Sequence, residues 1–100
     1  MAAREYASGR WHVTADRAED FTARWEAFLR WTSDNYDELE QATLLRSASD
    51  PNAFVSFAVW GNPEARDAWK HSPGFMERFT ACRELCDEFS GGDYSSVVEI

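Results

Sequence analysis

The run from Phe54 to Trp60, FVSFAVW, constrains this chain more than any other segment. Alternation along an extended strand puts Phe54, Ser56, Ala58 and Trp60 on one face and Val55, Phe57 and Val59 on the other. Both sets are largely apolar, whereas a strand with one wet face carries polar residues at every second position. The segment therefore predicts a sheet with something packed on each side. One hundred residues suffice for a single domain, residues 1–100, with one hydrophobic core, and not for two.

Local signals on either side fix the order of elements. Residues before about Ser8 carry no clear period and read as a short lead-in. Gly9 to Val13 then reads as a first strand, with Arg10 and His12 on one side and Trp11 and Val13 on the other. Asp16 followed by Glu19 fits a helix N-cap with its reciprocal acid, and Phe21, Trp25, Phe28, Leu29 and Thr32 repeat at helical spacing as far as about Ser33. The polar stretch Asp34 to Glu40 leads to a second strand, about Gln41 to Ala48. Asp50, Pro51 and Asn52 supply the turn of a hairpin into the third strand. Asn62–Pro63 and Ser72–Pro73 each set a capping side chain before a first-turn proline, so two helices start there, the first ending near Lys70. Beyond them Phe75, Met76, Phe79, Cys82, Leu85, Cys86 and Phe89 form an apolar stripe that predicts a long final helix, stopped by Gly91 and Gly92, with Tyr94 to Ile100 as the last strand.

The order β, α, β, β, broken α, β is the ferredoxin-like split pattern of the α+β class, a four-stranded antiparallel sheet with both helical units on one face. The opposite face then carries Val55, Phe57 and Val59. A bare patch of that kind is rare on a soluble monomer, and stacking two such sheets back to back covers it, so the pattern predicts a homodimer through the sheet face.

Charge and composition exclude several classes of partner. A formal net charge of −8, with ten scattered basic residues, argues against nucleic acid and anionic membrane surfaces, which need clustered Lys and Arg. No segment approaches the length of a membrane span, and Met1 to Arg4 is followed by Glu5, Tyr6 and Ser8 rather than by the apolar run of a secretory signal. Cys82 and Cys86, four apart on the expected helix, are poorly placed for a disulfide; two reduced thiols and a cytoplasmic location follow. Five tryptophans and 15% aromatic residues point to a core or a pocket rich in flat rings. There is no GxSxG elbow, phosphate loop or HExxH, and two histidines and two cysteines at unsuitable spacing give no expectation of a metal.

The strand ending in Trp60, the NPEA helix start, the DAW run ending in Trp69, the SPGF helix start and the matching element order from about Gly9 to Ile100 together resemble the antibiotic biosynthesis monooxygenase (ABM) family of dimeric α+β barrel proteins. That family includes oxygenases of aromatic polyketide anthrones that use no metal or flavin, and haem-degrading enzymes. For the oxygenases the resemblance implies a substrate cavity between helices and sheet, with an Asn and a Trp four apart on the third strand. Trp60 matches the Trp, Ser56 stands in the Asn position, and a further family tyrosine falls near Arg66. For the haem degraders it implies a Trp in the short helix, matched by Trp69, and an iron-binding His about ten residues later, where this chain has Phe79. Phenylalanine cannot bind iron, which leaves haem degradation as a weaker third alternative.

The expected function is thus cofactor-independent oxygenation of an aromatic or polyketide-type small molecule that itself forms a stabilised carbanion. The protein has to bind that substrate, help remove a proton and admit oxygen. Ser56, Trp60 and His12 are the catalytic candidates, His12 because its ordinary pKa lies nearest neutrality. Trp69, Arg46, Tyr36 and Phe79 are the substrate-binding candidates, with Arg10 and His71 as further polar groups. The alternative is a non-catalytic binding or interaction protein on the same dimeric scaffold, suggested by the replacements at Ser56, Arg66 and Phe79. In that case the tryptophans are core, and the arginines are surface partners of the many carboxylates.

Overall fold

The computed structural model describes residues 3–100. Its elements run β1 (Glu5–Val13), α1 (Ala18–Asn35), β2 (Leu39–Arg46), β3 (Ala53–Trp60), α2 (Pro63–Lys70), α3 (Pro73–Arg83) and β4 (Cys86–Ser95). The four strands form one antiparallel sheet in the order β2-β3-β1-β4. This is the ferredoxin-like α+β arrangement that the pattern predicts, with its second helical unit split in two. Both expected caps form: Asn62 accepts from the Ala65 N–H at 2.7 Å and Ser72 accepts from the Phe75 N–H at 3.1 Å, each just before its proline.

Register across the sheet sorts the helix-facing side chains by size. Phe54, Trp11 and Phe89 align across β3, β1 and β4; the next row is Ser56, Gly9 and Gly91, and the one after it is Ala58, Ala7 and Asp93. A row of large rings therefore borders two rows of small residues. From α1, Phe21, Trp25, Phe28 and Leu29 pack down on this face as the helical spacing requires. Trp60, at the far end of β3, is 1% exposed, with its ring centroid 5.0 Å from that of Trp69 and 5.9 Å from that of Tyr36. Its indole N–H finds no acceptor among the described residues. On the opposite face, Val55 and Phe57 are half-buried, Tyr6 meets Phe57 edge-on at 6.5 Å, and Leu45 and Tyr94 are exposed.

The last third of the chain departs from the helical pattern. The long final helix stops at Arg83, and Leu85, Cys86 and Phe89 leave it; β4 begins at Cys86 and not at Tyr94. Gly91 and Gly92 lie within this strand instead of ending a helix, Gly91 opposite Gly9 of β1. A Cβ at Gly91 would lie 2.8 Å from Cζ of Phe89, and one at Gly9 would lie 3.1 Å from Cε1 of the same ring. The two glycines thus let Phe89 lie flat on the sheet, 4.4 Å from Trp11. Prolonging the helix would forfeit this contact and leave one edge of β1 without a ladder. As a consequence Cys82 and Cys86 do not share a helix; both are free and buried.

Smaller shifts have local causes. β1 starts at Glu5 and not Gly9, because the ladders to β3 and β4 extend to Trp60 and Ser95; Met1 and Ala2 of the expected lead-in lie outside the described residues. Asp16 does not cap α1. It adopts φ of 67°, a left-handed conformation that aspartate tolerates, and Arg17 takes the cap position with no side-chain hydrogen bond. The helix continues to Asn35 rather than Ser33. β2 spans Leu39–Arg46, two residues earlier than its apolar pattern suggests, because the Ser47 hydroxyl accepts from the N–H groups of Ser49 and Asp50 and turns the chain there.

The environment of Trp60 yields an opposed pair of substitutions. Trp60→Ala should lower unfolding free energy by about 3–5 kcal/mol. Trp60→Phe should cost about 1 kcal/mol or less, since it keeps a ring and removes the unsatisfied N–H. Urea denaturation of the two variants measures the difference.

Candidate functional site

Small side chains on the sheet and large ones on the helices leave space between the layers. The row Ser56, Gly9 and Gly91, together with Ala58 and Ala7, floors a cavity of about 320 Å³. Its walls are rings: Trp25 and Phe28 from α1, Trp69 from α2, Phe75 and Phe79 from α3, and Trp11 and Phe89 from the sheet. The volume sits at the lower end of the roughly 300–1,000 Å³ usual for small-molecule sites, and the lining has their usual apolar character.

Ser56 is the polar group of the floor. Its Oγ accepts a hydrogen bond from Nε1 of Trp11 at 3.0 Å, in a buried setting. The hydroxyl still has its own proton to donate. Gly9 makes this contact possible, since a Cβ there would come within 2.9 Å of the Trp11 nitrogen and 3.0 Å of the Ser56 oxygen. Trp69 is held in turn by Thr32, fully buried on α1, whose hydroxyl accepts from the indole at 3.0 Å and donates to the Phe28 carbonyl at 2.9 Å. Phe28 lies nearly parallel to the Trp69 ring at 5.6 Å, and Phe79 stacks on Phe75 at 5.4 Å. The wall is therefore rigid aromatic surface with fixed orientation.

With that geometry established, the chain can be set beside known proteins. The family model for antibiotic biosynthesis monooxygenase matches residues 6–81. The chain belongs to the antibiotic biosynthesis monooxygenase family. No curated protein matches its sequence. A variant of SnoaB, described as a cofactor-independent oxygenase from Streptomyces nogalater, superposes with a TM-score of 0.88 at 22% identity, covering 97% of this chain and 96% of that one. A conserved protein from Methanosarcina mazei reaches 0.83 at 15% identity over 93% and 92% of the two chains. A protein from Nitrosomonas europaea assigned to the same monooxygenases reaches 0.81 at 17% identity over 97% and 93%. At these identities the superpositions bear on the fold alone.

Of the residues singled out in the sequence of this ABM-family chain, the cavity brings together Ser56, Trp69 and Phe79. Trp60 backs the Trp69 ring and does not border the space; Tyr36 packs edge-on against Trp60. The guanidinium of Arg46 lies 5.0 Å above the Phe54 ring, outside the cavity. His71 ends α2 on the surface, its Nδ1 2.7 Å from the Asp67 carbonyl. Arg66 is 9% exposed and pairs with Glu5 at 3.2 Å and Asp67 at 3.3 Å. Gly9, Gly91, Trp11, Trp25 and Lys70 border the cavity without having been singled out as site residues. Gly9 lies inside β1 only once the strand is seen to start at Glu5, and a glycine inside a strand is the usual mark of a close approach.

His12 is remote from the cavity. It borders a wide groove of about 980 Å³ shared with Arg10, Leu45, Val55, Phe57 and Glu88. Its Nδ1 is 2.8 Å from an Asp87 oxygen and its Nε2 3.2 Å from an Asp50 oxygen. With a carboxylate beside each nitrogen, the protonated ring can donate to both, so the geometry favours the imidazolium as a cross-link over the neutral base. The Asp87 hydrogen bond, assisted by Asp50, raises its pKa above the ordinary 6.5. Burial pushes the thiols up, Cys82 to about 12 and Cys86 to about 11, so neither is a ready nucleophile. Among the described residues no three His, Cys, Asp or Glu side chains converge as a metal site would need.

These shifts fix a pH window. A raised folded-state pKa makes the His12 contribution complete below about pH 6.5, and rising pH removes it as His12 loses its proton. Asp50 is lowered below its ordinary 3.8, chiefly by the Asn52 N–H and also by His12, so its contribution is present above that pH and lost in acid. Unfolding measured across pH should show a loss of stability as pH rises above about 6.5 that His12→Asn flattens. An unchanged slope in that variant would count against the cross-link.

Proposed function

We propose that this protein is a cofactor-independent monooxygenase acting on an aromatic, polyketide-type small molecule held between helices and sheet. The observation that carries the reading is the cavity of about 320 Å³, ring-walled and with one buried hydroxyl on its floor. Flat apolar walls suit a fused-ring substrate, since offset ring contacts add to the burial of apolar area. A substrate with an acidic ring methylene provides its own electrons: once the proton is removed, the carbanion reacts with O₂. One oxygen atom becomes a carbonyl at that carbon, and the other leaves as water with the two hydrogens of the methylene. All four electrons taken up by O₂ come from the substrate carbon. Ser56 orients the substrate by donating to its oxygen, and Trp69, Phe79 and the neighbouring rings position it and keep water out. Membership of the monooxygenase family supports the same reaction class.

The assembly that fits this reading is a homodimer through the face of Val55, Phe57 and Tyr6. That face has an apolar middle bordered by Arg10, His12 and Glu88, and it carries no helix of its own. Two buried free thiols are in keeping with a reducing compartment such as the cytoplasm. No helix among the described residues is long and apolar enough to cross a membrane.

A second reading, binding without turnover, is favoured by one feature: among the described residues no Asp, Glu or His borders the cavity to act as a base. Oxygen uptake with an anthrone separates the two. The oxygenase reading expects consumption of O₂ with formation of the quinone, and a fall in kcat/KM of about 10- to 100-fold for Ser56→Ala, the worth of one hydrogen bond to a charged oxygen. Ligand-induced stabilisation with no product would establish the binding reading instead. Undiminished turnover in Ser56→Ala would remove the assigned floor contact.

The dimer has its own test. Equilibrium sedimentation should return twice the 11.5 kDa chain mass, and Phe57→Asp should return a single chain, because a buried carboxylate at that face has no partner.

A further inference from the structure

Lys70 is the single charged side chain that borders the cavity among the described residues. It closes α2 directly after Trp69, so the helix turn that sets the indole wall also delivers an ammonium beside it. Its Nζ pairs with Asp93 of β4. Asp93 does not depend on Lys70 alone, because Nε of Arg66 stands 3.8 Å from the same carboxylate oxygen. Arg66 is itself anchored by Glu5 of β1 and by Asp67 of its own helix. Side-chain exposures of 28% for Lys70 and 38% for Asp93 keep their pair in contact with water, where such pairs exchange readily. Lys70 can therefore turn from Asp93 toward a cavity ligand without stranding a carboxylate. Among the described residues no anionic side chain borders the cavity to compete with that ligand.

We propose that Lys70 is the cation that holds the ionised form of the ring substrate, an enolate or phenolate, in the cavity. The substrate class rests on the oxygenase reading above. An anion inside an apolar, ring-lined space is costly unless a cation adjoins it, so a neighbouring ammonium favours the deprotonated ring over the neutral one. In this step the bond to the acidic hydrogen breaks, its electron pair stays on the substrate as the enolate, and the proton leaves to water at the cavity mouth; nothing is oxidised or reduced. A cavity without a side-chain base then suffices, because stabilising the anion lowers the pKa of the substrate enough for water to take the proton.

The test is an anaerobic absorbance titration of dithranol, a tricyclic hydroxyanthrone, bound to the wild-type protein, Lys70→Met and Lys70→Arg. Fluorescence of the uncharged N-phenyl-1-naphthylamine reports in parallel on an intact cavity. Bound to wild type, dithranol should ionise about one pH unit lower than in solution, a ten-fold rise in the anion at a given pH. Lys70→Met should lose that shift, Lys70→Arg should keep it, and the neutral probe should bind all three alike. Retention of the shift in Lys70→Met would overturn the proposal. So would loss of the neutral probe in Lys70→Met, which would mark Lys70 as packing, or the absence of any shift in wild type that still binds the probe. Failure of wild type to bind either molecule would remove the cavity reading and this one together. A shift without oxygen uptake in air would uphold Lys70 and reject the oxygenase.

Discussion

The structure depends on a mismatch of side-chain volume across one sheet. Phe54, Trp11 and Phe89 form a row of rings, and the neighbouring row is a serine and two glycines. Helices that rest on the high row cannot also touch the low one, and the space left over is the cavity. Side chains at Gly9 or Gly91 would begin to fill it, yet both positions are already occupied from the side, by the Trp11 nitrogen, the Ser56 hydroxyl and the Phe89 ring. The absence of a Cβ at two points therefore serves two ends: it lets rings lie on the sheet, and it keeps a hydroxyl exposed to whatever enters.

Around that space the polar groups are arranged economically. The Trp11 indole satisfies one side of Ser56, and Thr32 satisfies Trp69. Charge is kept at the border, where Lys70, Asp93, Arg66 and Glu5 form a partly buried network linking α2 to both β1 and β4. Such a network is weak evidence of stability, because desolvation offsets much of the attraction. Its value lies in placing a movable cation beside an apolar chamber. His12, which the sequence nominates as the base, belongs to a different part of the molecule, where two aspartates tie β1 to β4 and to the β2–β3 turn.

Much of the fold was legible in the chain. Period-3.6 spacing from Phe21 to Thr32, the Asn62–Pro63 and Ser72–Pro73 starts, and the doubly apolar third strand are local signals, and each survived because nothing distant opposed it. The final helix did not survive. Cys82, Leu85, Cys86 and Phe89 satisfy a helical period, and two glycines after them imitate a stop. No local rule could reveal that β1 lacked a partner on one side and that a ring needed glycines beneath it. The site was legible to a lesser degree. Ser56, Trp69 and Phe79 reach the cavity. Trp60 shares a strand face with Ser56, but four residues along, about 13 Å by strand rise, place it past the end of the opening.

The chain by itself determined the architecture: alternation on Phe54 to Trp60 and capping pairs before two short helices. These are properties of residues and their near neighbours, and they act before any distant contact forms. Register between strands was decided only in three dimensions, because pairing Gly9 with both Ser56 and Gly91 joins positions 47 and 82 residues away in sequence. That pairing sets where side-chain volume is missing, and so where a ligand has room. It also separates His12 from the cavity and brings Lys70 to its edge, since which face and which end a residue occupies is a property of the assembled sheet and not of the residue.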